Sequence, residues 1–95
     1  MADNGRESLQ SVRRALRTLD LIAEAGDMGV SELSRRLGVH KATASRLAAT
    51  LAATGVIERD ATTERYSLGY GLIRLASAAT AGGRPMDPDG GRGRA

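Results

Sequence analysis

A glycine interrupts a helical pattern in the middle of the chain after only two turns. The first helical run starts at Ser31, whose hydroxyl is a candidate N-cap, and stops at Gly38. Two residues later a second helical run begins and continues over residues 41–54. Two short helices therefore meet at a tight turn, and this arrangement predicts a helix-turn-helix unit.

An amphipathic helix precedes this unit. Apolar residues recur there at spacings of three and four, which places them on one helical face. With Ser11 as the N-cap and Gly26 as the C-cap, the pattern predicts a first helix from about Ser11 to Ala25. The apolar positions of its inward face are Val12, Ala15, Leu16, Leu19, Ile22 and Ala23.

Two short β-type segments follow the unit, at residues 56–59 and 66–68, with a polar loop between them. A hairpin in this place predicts a wing over residues 56–68. A last helix is expected over residues 71–81, and it is apolar over more than one face. Part of it is therefore expected to pack against another subunit.

The predicted fold is mainly α with a small β-hairpin: a winged helix-turn-helix domain with a three-helix core, a two-stranded wing and a C-terminal linker helix. A chain of 95 residues holds one such domain, expected at residues 9–81. Residues 1–8 and the Gly-, Arg- and Asp-rich tail at 82–95 are expected to be disordered. The arginines of that tail can add loose phosphate contacts, but a solvated tail is the favoured interpretation.

Composition excludes several classes of site. The chain has no cysteine, hence no disulfide and no thiolate zinc site, and its one histidine, His40, has no second ligand at metal spacing. The carboxylates have cations near them in sequence and no nucleophile motif beside them, so we expect no catalytic site, metal or cofactor. No run of 18 apolar residues exists, and we expect a cytoplasmic protein without membrane contact.

The helix over residues 41–54 is the candidate for reading DNA, because a major groove about 12 Å wide admits one α-helix. Its outward face is small and polar with two cations, and the net charge of +3 suits a polyanionic partner. Ala42 and Ala49 can touch thymine methyl groups, although their role as good helix formers is the favoured explanation. The predicted base-reading residues are Lys41, Ala42, Thr43, Ser45 and Arg46.

A second group of residues is predicted to contact DNA phosphates or to belong to the wing. Arg35 and Arg36 are equally consistent with phosphate contact and with solvated surface. Two wing carboxylates, Asp60 and Glu64, predict that only one wing arginine is free. The predicted contacts are Ser31, Arg35, Arg36, His40, Arg59, Thr62, Thr63 and Arg65.

Several stretches, in register from about Ser11 to Ala81, resemble the IclR-type transcriptional regulators. The similar residues open the first helix, run through the helix-turn-helix and end in the second wing strand. They are Ser11-Val12, Arg14-Ala15-Leu16, Ser31-Glu32-Leu33, Arg36-Leu37-Gly38, Lys41-Ala42-Thr43, Arg46-Leu47, Thr50-Leu51, Gly55, Glu58-Arg59 and Arg65-Tyr66-Ser67-Leu68-Gly69.

The resemblance implies a bacterial transcription factor that binds double-stranded DNA in the cytoplasm, at the nucleoid. It implies a helix-turn-helix at residues 30–49 and a homodimer formed through the first helix and the helix at 71–81. Members of this family generally carry a larger C-terminal domain that binds small effectors. This chain ends in a polar tail instead, so we expect no effector site in it. His40 and Ala42 stand where the family often has Pro and Ser, so its base preference does not transfer to this chain.

Two other functions are consistent with parts of the sequence. A winged helix can serve as a protein-contact module without DNA binding, but the outward face of the 41–54 helix lacks the aromatic anchors typical of protein hot spots. RNA binding is disfavoured because Tyr66 and Tyr70, the only aromatic residues, are expected to be mostly buried rather than available for stacking on bases.

Overall fold

The computed structural model describes the backbone of residues 2–81 and the side chains of residues 9–81. Four helices and one hairpin follow one another in the predicted order, which confirms the mainly α winged helix-turn-helix fold. The predicted disordered tail at 82–95 lies outside the described residues. The elements are α1 (Ala2–Ala25), α2 (Val30–Leu37), α3 (Lys41–Thr54), β1 (Ile57–Arg59), β2 (Tyr66–Leu68) and α4 (Tyr70–Ala81).

Helix α1 is longer than predicted. It begins at Ala2, so Ser11 lies inside the helix instead of capping it, and the backbone of residues 2–8 is helical where the sequence predicts disorder. No proline precedes Ser11, and the single glycine there weakens a helix without ending it, so the backbone hydrogen bonds continue toward the N-terminus. The other end agrees with the prediction, because Gly26 follows α1 with a φ of 90°.

The core lies where the C-terminal half of α1, the helix-turn-helix and the hairpin meet. On α3, the predicted inward residues Ala44 and Ala48 are buried, while Leu47 and Leu51 are half-buried. Since an alanine side chain ends at Cβ, the neighbouring elements can approach α3 closely at these two positions. The buried core residues are Leu21, Ile22, Met28, Leu33, Ala44, Ala48, Ile57 and Tyr66.

Large apolar side chains at three positions of α1 between residues 9 and 16 lie outside this core. Val12 and Leu16, predicted on its inward face, are exposed, and so is Leu9 one turn earlier. The buried face of α1 instead carries Thr18, whose hydroxyl donates to the carbonyl oxygen of Arg14 at 2.8 Å. The apolar spacing therefore identified the helix correctly but left open which neighbour covers the first part of its apolar face.

The turn between α2 and α3 is held by its own hydrogen bonds. Gly38 has a φ of 71° and donates its N–H to the carbonyl oxygen of Ser34 at 3.0 Å. The Ser34 hydroxyl in turn donates to the carbonyl oxygen of Val39 at 2.6 Å. At the other end of α2, the N-cap is Gly29 and not Ser31, which lies in the first turn.

The hairpin is antiparallel, with Arg59 opposite Tyr66. A third, short strand segment joins it, because Met28 bridges Tyr66 in antiparallel fashion. Behind the hairpin, the start of α4 lies close to the turn after α3: the N–H of Gly71 donates to the carbonyl oxygen of Gly55 at 2.8 Å. A Cβ atom on Gly71 would lie 2.7 Å from that oxygen, so only glycine permits this approach.

Candidate nucleic-acid interface

An open cleft of about 820 Å³ lies between the start of α2, the first turns of α3 and the wing. The short turn after Gly38 brings α3 back to pack against α2, and the hairpin borders the same side of these two helices. Eight of the thirteen predicted contact residues line this wing cleft. They are Ser31, Arg35, Lys41, Ala42, Ser45, Arg59, Thr63 and Arg65.

Four cations and two carboxylates line the wing cleft. Arg35, Lys41, Arg59 and Arg65 outnumber the acidic pair, so the cleft carries a positive balance that suits a phosphate-bearing ligand. Of the two carboxylates, Glu64 was expected beside the wing arginines from the sequence, whereas Glu32 was not expected there.

Both wing arginines have a carboxylate partner. The Nε of Arg65 donates to Oδ1 of Asp27 at 2.8 Å, and a second guanidinium nitrogen of Arg65 reaches the Asp27 carbonyl oxygen at 3.3 Å. A guanidinium nitrogen of Arg59 lies 3.4 Å from a carboxylate oxygen of Glu64. The sequence anticipated one free wing arginine, and the partner it missed is Asp27, which lies 38 residues from Arg65.

The wing loop is organised by Asp60. Its carboxylate oxygen Oδ1 accepts the backbone N–H groups of Thr62 at 2.8 Å and of Thr63 at 2.9 Å. These two hydrogen bonds, that from Thr63 first, lower the pKa of Asp60 below its ordinary value. Glu64, at the end of the loop, has a φ of 62°, a left-handed conformation uncommon for a residue with a side chain. Thr62 stabilises the loop by donating its backbone N–H to Asp60, and Thr62 does not line the wing cleft.

The opposite side of α3 faces α1. Arg46 and Thr43 line a shallow cleft there together with Ser11 and Arg14 of α1. Arg14 and Thr43 also line an adjoining cleft with His40, in the turn before α3. Among the described residues that line these two clefts, none is acidic. The predicted base-reading residues therefore lie on two flanks of α3. Arg14, which was not among the predicted contacts, lies on the flank that faces α1.

Arg36 stands apart from both flanks. Its guanidinium lies 3.8 Å from a carboxylate oxygen of Glu32, one turn earlier on α2, and both side chains are exposed. The pair is a surface i, i+4 contact of the ordinary kind. Of the two interpretations of Arg36, solvated surface and phosphate contact, this geometry favours the first.

Among the described side chains of residues 9–81, nowhere do three or more His, Cys, Asp or Glu residues gather closely enough to hold a metal ion. None of the described helices combines the length and apolar character that a membrane crossing requires.

Comparison with known proteins finds one family along this chain. The model of the IclR helix-turn-helix domain matches residues 11–61, which cover α1 from Ser11 through α3 to the start of the wing loop. The chain is 37% identical over 70 residues to the HTH-type transcriptional regulator BhcR of Paracoccus denitrificans. It is 38% identical over 72 residues to the glycerol operon regulatory protein of Streptomyces coelicolor.

Solved structures agree in fold. An IclR transcriptional regulator from Alicyclobacillus acidocaldarius superposes with a TM-score of 0.70 at 36% identity, covering 74% of this chain and 29% of that one. Pseudomonas aeruginosa HmgR gives a TM-score of 0.67 at 29% identity, covering 82% and 31%. The two regulators similar in sequence are matched over 74% of this chain but only 25% and 28% of their own lengths. The chain thus spans about a quarter of these relatives.

Proposed function

Since this chain belongs to the IclR family of helix-turn-helix proteins, we propose that it binds double-stranded DNA and regulates transcription. Its relatives are an HTH-type transcriptional regulator and a glycerol operon regulatory protein, each matched over 74% of this chain. The observation that carries the proposal is the position of α3, a helix with a small polar outer face between two cationic flanks.

These two flanks suit the two phosphate backbones that border a major groove. A helix lying in the groove has one DNA strand on each side, and most contacts to those strands go to phosphate oxygens. On the wing side, Arg35, Lys41 and Arg59 are available to one strand. On the α1 side, Arg14 is available to the other, with no acidic neighbour in the clefts it lines.

Base reading is proposed for the outer line of α3. At about 100° per residue, Ala42, Arg46 and Ala49 lie on the side of α3 away from buried Ala44 and Ala48, with Arg46 directly opposite them. Only Arg46 among these three can form a bidentate hydrogen-bonded pair with guanine, which is the commonest specific contact in the major groove. Lys41 and Ser45 on one flank and Thr43 on the other are the nearest additional base contacts.

The domain is proposed to act as a homodimer through α1 and α4. Both helices present apolar side chains that no described residue covers. The exposed residues are Leu9, Val12 and Leu16 on α1 and Tyr70, Ile73 and Leu75 on α4. Apolar surface of this extent is unusual on a monomer, and a second copy would bury it. We further propose that the protein works at the bacterial nucleoid, in a binding role without catalysis.

The test is fluorescence anisotropy of the full chain against pooled random duplexes at low and moderate salt, followed by selection of the tightest sequences. We expect binding that weakens as salt rises and a selected motif that is palindromic. Arg46→Ala should lose roughly 1–3 kcal/mol on the selected motif and less on random duplex. Arg17→Ala, on the exposed side of α1 and outside all three clefts, is the matched control for loss of one arginine.

The protein-contact alternative makes the opposite prediction. In that case the unmodified chain would show no salt-dependent binding to duplex, and Arg46→Ala would behave like Arg17→Ala. The exposed apolar residues of α1 and α4 favour contact with protein, but the proposed homodimer already uses them. Preference for single strands over duplex would revive RNA binding.

A further inference from the structure

The two arginines of the wing lie at opposite ends of one short loop and are held very differently. Arg65 is joined to Asp27 by two hydrogen bonds, at 2.8 and 3.3 Å, one to the side chain and one to the backbone. Arg59 has a single ion-pair contact to Glu64 at 3.4 Å, and the Glu64 side chain is 72% exposed. The first arrangement fixes a guanidinium in two directions, and the second leaves it easy to displace.

The Arg65 contact adjoins a backbone connection. Asp27 and Arg65 each immediately precede a residue of the Met28–Tyr66 bridge, whose two hydrogen bonds are both 2.9 Å. A terminal nitrogen of Arg65 also reaches toward Gly29, to within 3.8 Å of the place a Cβ would occupy there. Side chain and backbone together therefore tie the base of the wing to the segment that leads into α2.

The Arg59 contact is made at the end of the wing loop by a residue whose backbone conformation is uncommon for a residue with a side chain. Glu64 has a φ of 62°, and its carboxylate lines the wing cleft beside the cations there. A DNA phosphate entering the cleft would compete with this carboxylate for Arg59, because each is an anion that can accept two hydrogen bonds from one guanidinium. Glu64 would then face the phosphate backbone as a like charge.

We propose that the wing arginines divide two tasks: Arg65 is a positioning residue that holds the wing against Asp27, and Arg59 is the arginine that contacts DNA phosphate. Glu64 is the carboxylate that the phosphate displaces. This inference rests on the proposed function for the role of Arg59. Arg65 keeps its place in the wing cleft, but acts on DNA through the position of Arg59 and Thr63.

Salt dependence separates the two tasks. Affinity for duplex DNA falls as salt rises. Each neutralised phosphate adds about 0.9 to the magnitude of the slope of log affinity against log salt concentration, and this magnitude is what the variants change. Arg59→Ala should lower the slope by about 0.9 per bound subunit on selected and random duplexes alike. Glu64→Gln should raise affinity several-fold, because it removes the competing anion. Arg65→Ala should leave the slope nearly unchanged while lowering the preference for the selected motif over random duplex.

Asp27→Asn gives the sharpest comparison. Simple electrostatics predicts tighter binding when a carboxylate near a polyanion is removed. The positioning role predicts the reverse, a loss of sequence preference similar to that of Arg65→Ala, and no further loss in the double variant. Asp27→Glu keeps the carboxylate and should restore part of the preference. A lower salt slope in Arg65→Ala, together with tighter binding by Asp27→Asn, would assign the phosphate contact to Arg65 and overturn the proposal.

Hydrogen exchange tests the wing attachment without DNA. The amides of Met28 and Tyr66 should exchange faster in Asp27→Asn and Arg65→Ala and at the original rate in Arg59→Ala. Unchanged exchange in all three variants would refute the attachment. Absence of duplex binding by the unmodified chain would overturn the proposed function and the role of Arg59 together, while the exchange rates would still decide the role of Arg65.

Discussion

Met28 and Tyr66 exchange both of their backbone hydrogen bonds, each N–H donating to the other residue's carbonyl oxygen at 2.9 Å. Both side chains are buried in the same core. The segment between α1 and α2 is thereby joined to the edge of β2 by one isolated β-bridge. Because Met28 is close in sequence to α2 and Tyr66 begins β2, this pair connects the helix-turn-helix to the hairpin that completes the wing cleft.

Truncation of Tyr66 should therefore weaken the whole domain. Tyr66 is 6% exposed, and we expect Tyr66→Ala to lower the free energy of unfolding by about 3 kcal/mol, through lost burial and the cavity left behind. Tyr70→Ala, measured below the concentration at which the proposed homodimer forms, is the matched control, since Tyr70 is 64% exposed and should change the stability of the monomer by less than about 0.5 kcal/mol. Urea unfolding followed by circular dichroism measures both. Equal effects would contradict the described core.

Gly71 should not accept even one added methyl group. A Cβ there would lie 2.7 Å from the carbonyl carbon and oxygen of Gly55, which are backbone atoms and cannot swing aside. We expect Gly71→Ala to cost about 2 kcal/mol of stability, although alanine is the better helix former. A stability equal to or above that of the unmodified chain would show that α4 starts elsewhere.

Gly29 should respond in the opposite direction. It is the N-cap of α2 with extended backbone, and no side chain caps this helix end. A Cβ there would meet only a terminal nitrogen of Arg65, at 3.8 Å. Gly29→Ser should raise stability by about 0.5 kcal/mol, by supplying a hydroxyl cap and by restricting the unfolded chain. Thermal unfolding of this variant beside Gly71→Ala compares two added Cβ atoms with opposite expected signs.

Acid should loosen the wing loop in a defined range of pH. The N–H groups of Thr63 and Thr62 lower the pKa of Asp60 below 3.8 in the folded protein. A lowered folded pKa means that the ionised carboxylate stabilises the loop above about pH 3.8 and that this contribution disappears as pH falls through the folded value. In NMR spectra, the amide shifts of Thr62 and Thr63 should titrate with a midpoint below 3.8. In Asp60→Asn this transition should be absent.

Dimer formation should depend on the apolar surface of α1 and α4. Leu16 is 58% exposed and Ile73 is 60% exposed, so charges at these positions should leave the fold intact. We expect the unmodified chain to be dimeric at micromolar concentration by light scattering, and the Leu16→Glu and Ile73→Glu variants to be monomeric. Ala53→Glu, on an exposed position of α3, controls for added charge. A monomeric unmodified chain would refute the homodimer.

Local signals in the sequence were sufficient for most of the fold. Helix α3 ends as predicted because Gly55 takes a left-handed conformation with a φ of 87°, and β2 has its predicted bounds. The start of α2 was misassigned to Ser31 because serine is the stronger N-cap by preference. In the structure, the carbonyl oxygen of Gly29 accepts the N–H of Leu33 at 3.0 Å, so the first helical turn already includes Val30.

The site was only partly predictable. Spacing on α3 identified its outward residues, but it did not indicate that Ser45 would face the wing and Arg46 would face α1. The Asp27–Arg65 contact depends on two loops that the Met28–Tyr66 bridge brings together, and no local pattern encodes a pairing between such distant parts of the chain. Likewise, the exposed face of α1 follows from how far the helix extends beyond the core, which hydrophobic spacing does not specify.

The close approach of Gly71 to Gly55 has a consequence for operator architecture. Two glycine backbones in contact fix the direction in which α4 leaves the domain. In the proposed homodimer, that direction sets the separation and the relative rotation of the two α3 helices. Half-sites one helical turn apart are about 34 Å and roughly 10 base pairs from centre to centre, so each added base pair also rotates one half-site around the duplex. In that homodimer, the permitted spacing of an operator would depend on two residues outside the proposed DNA contacts.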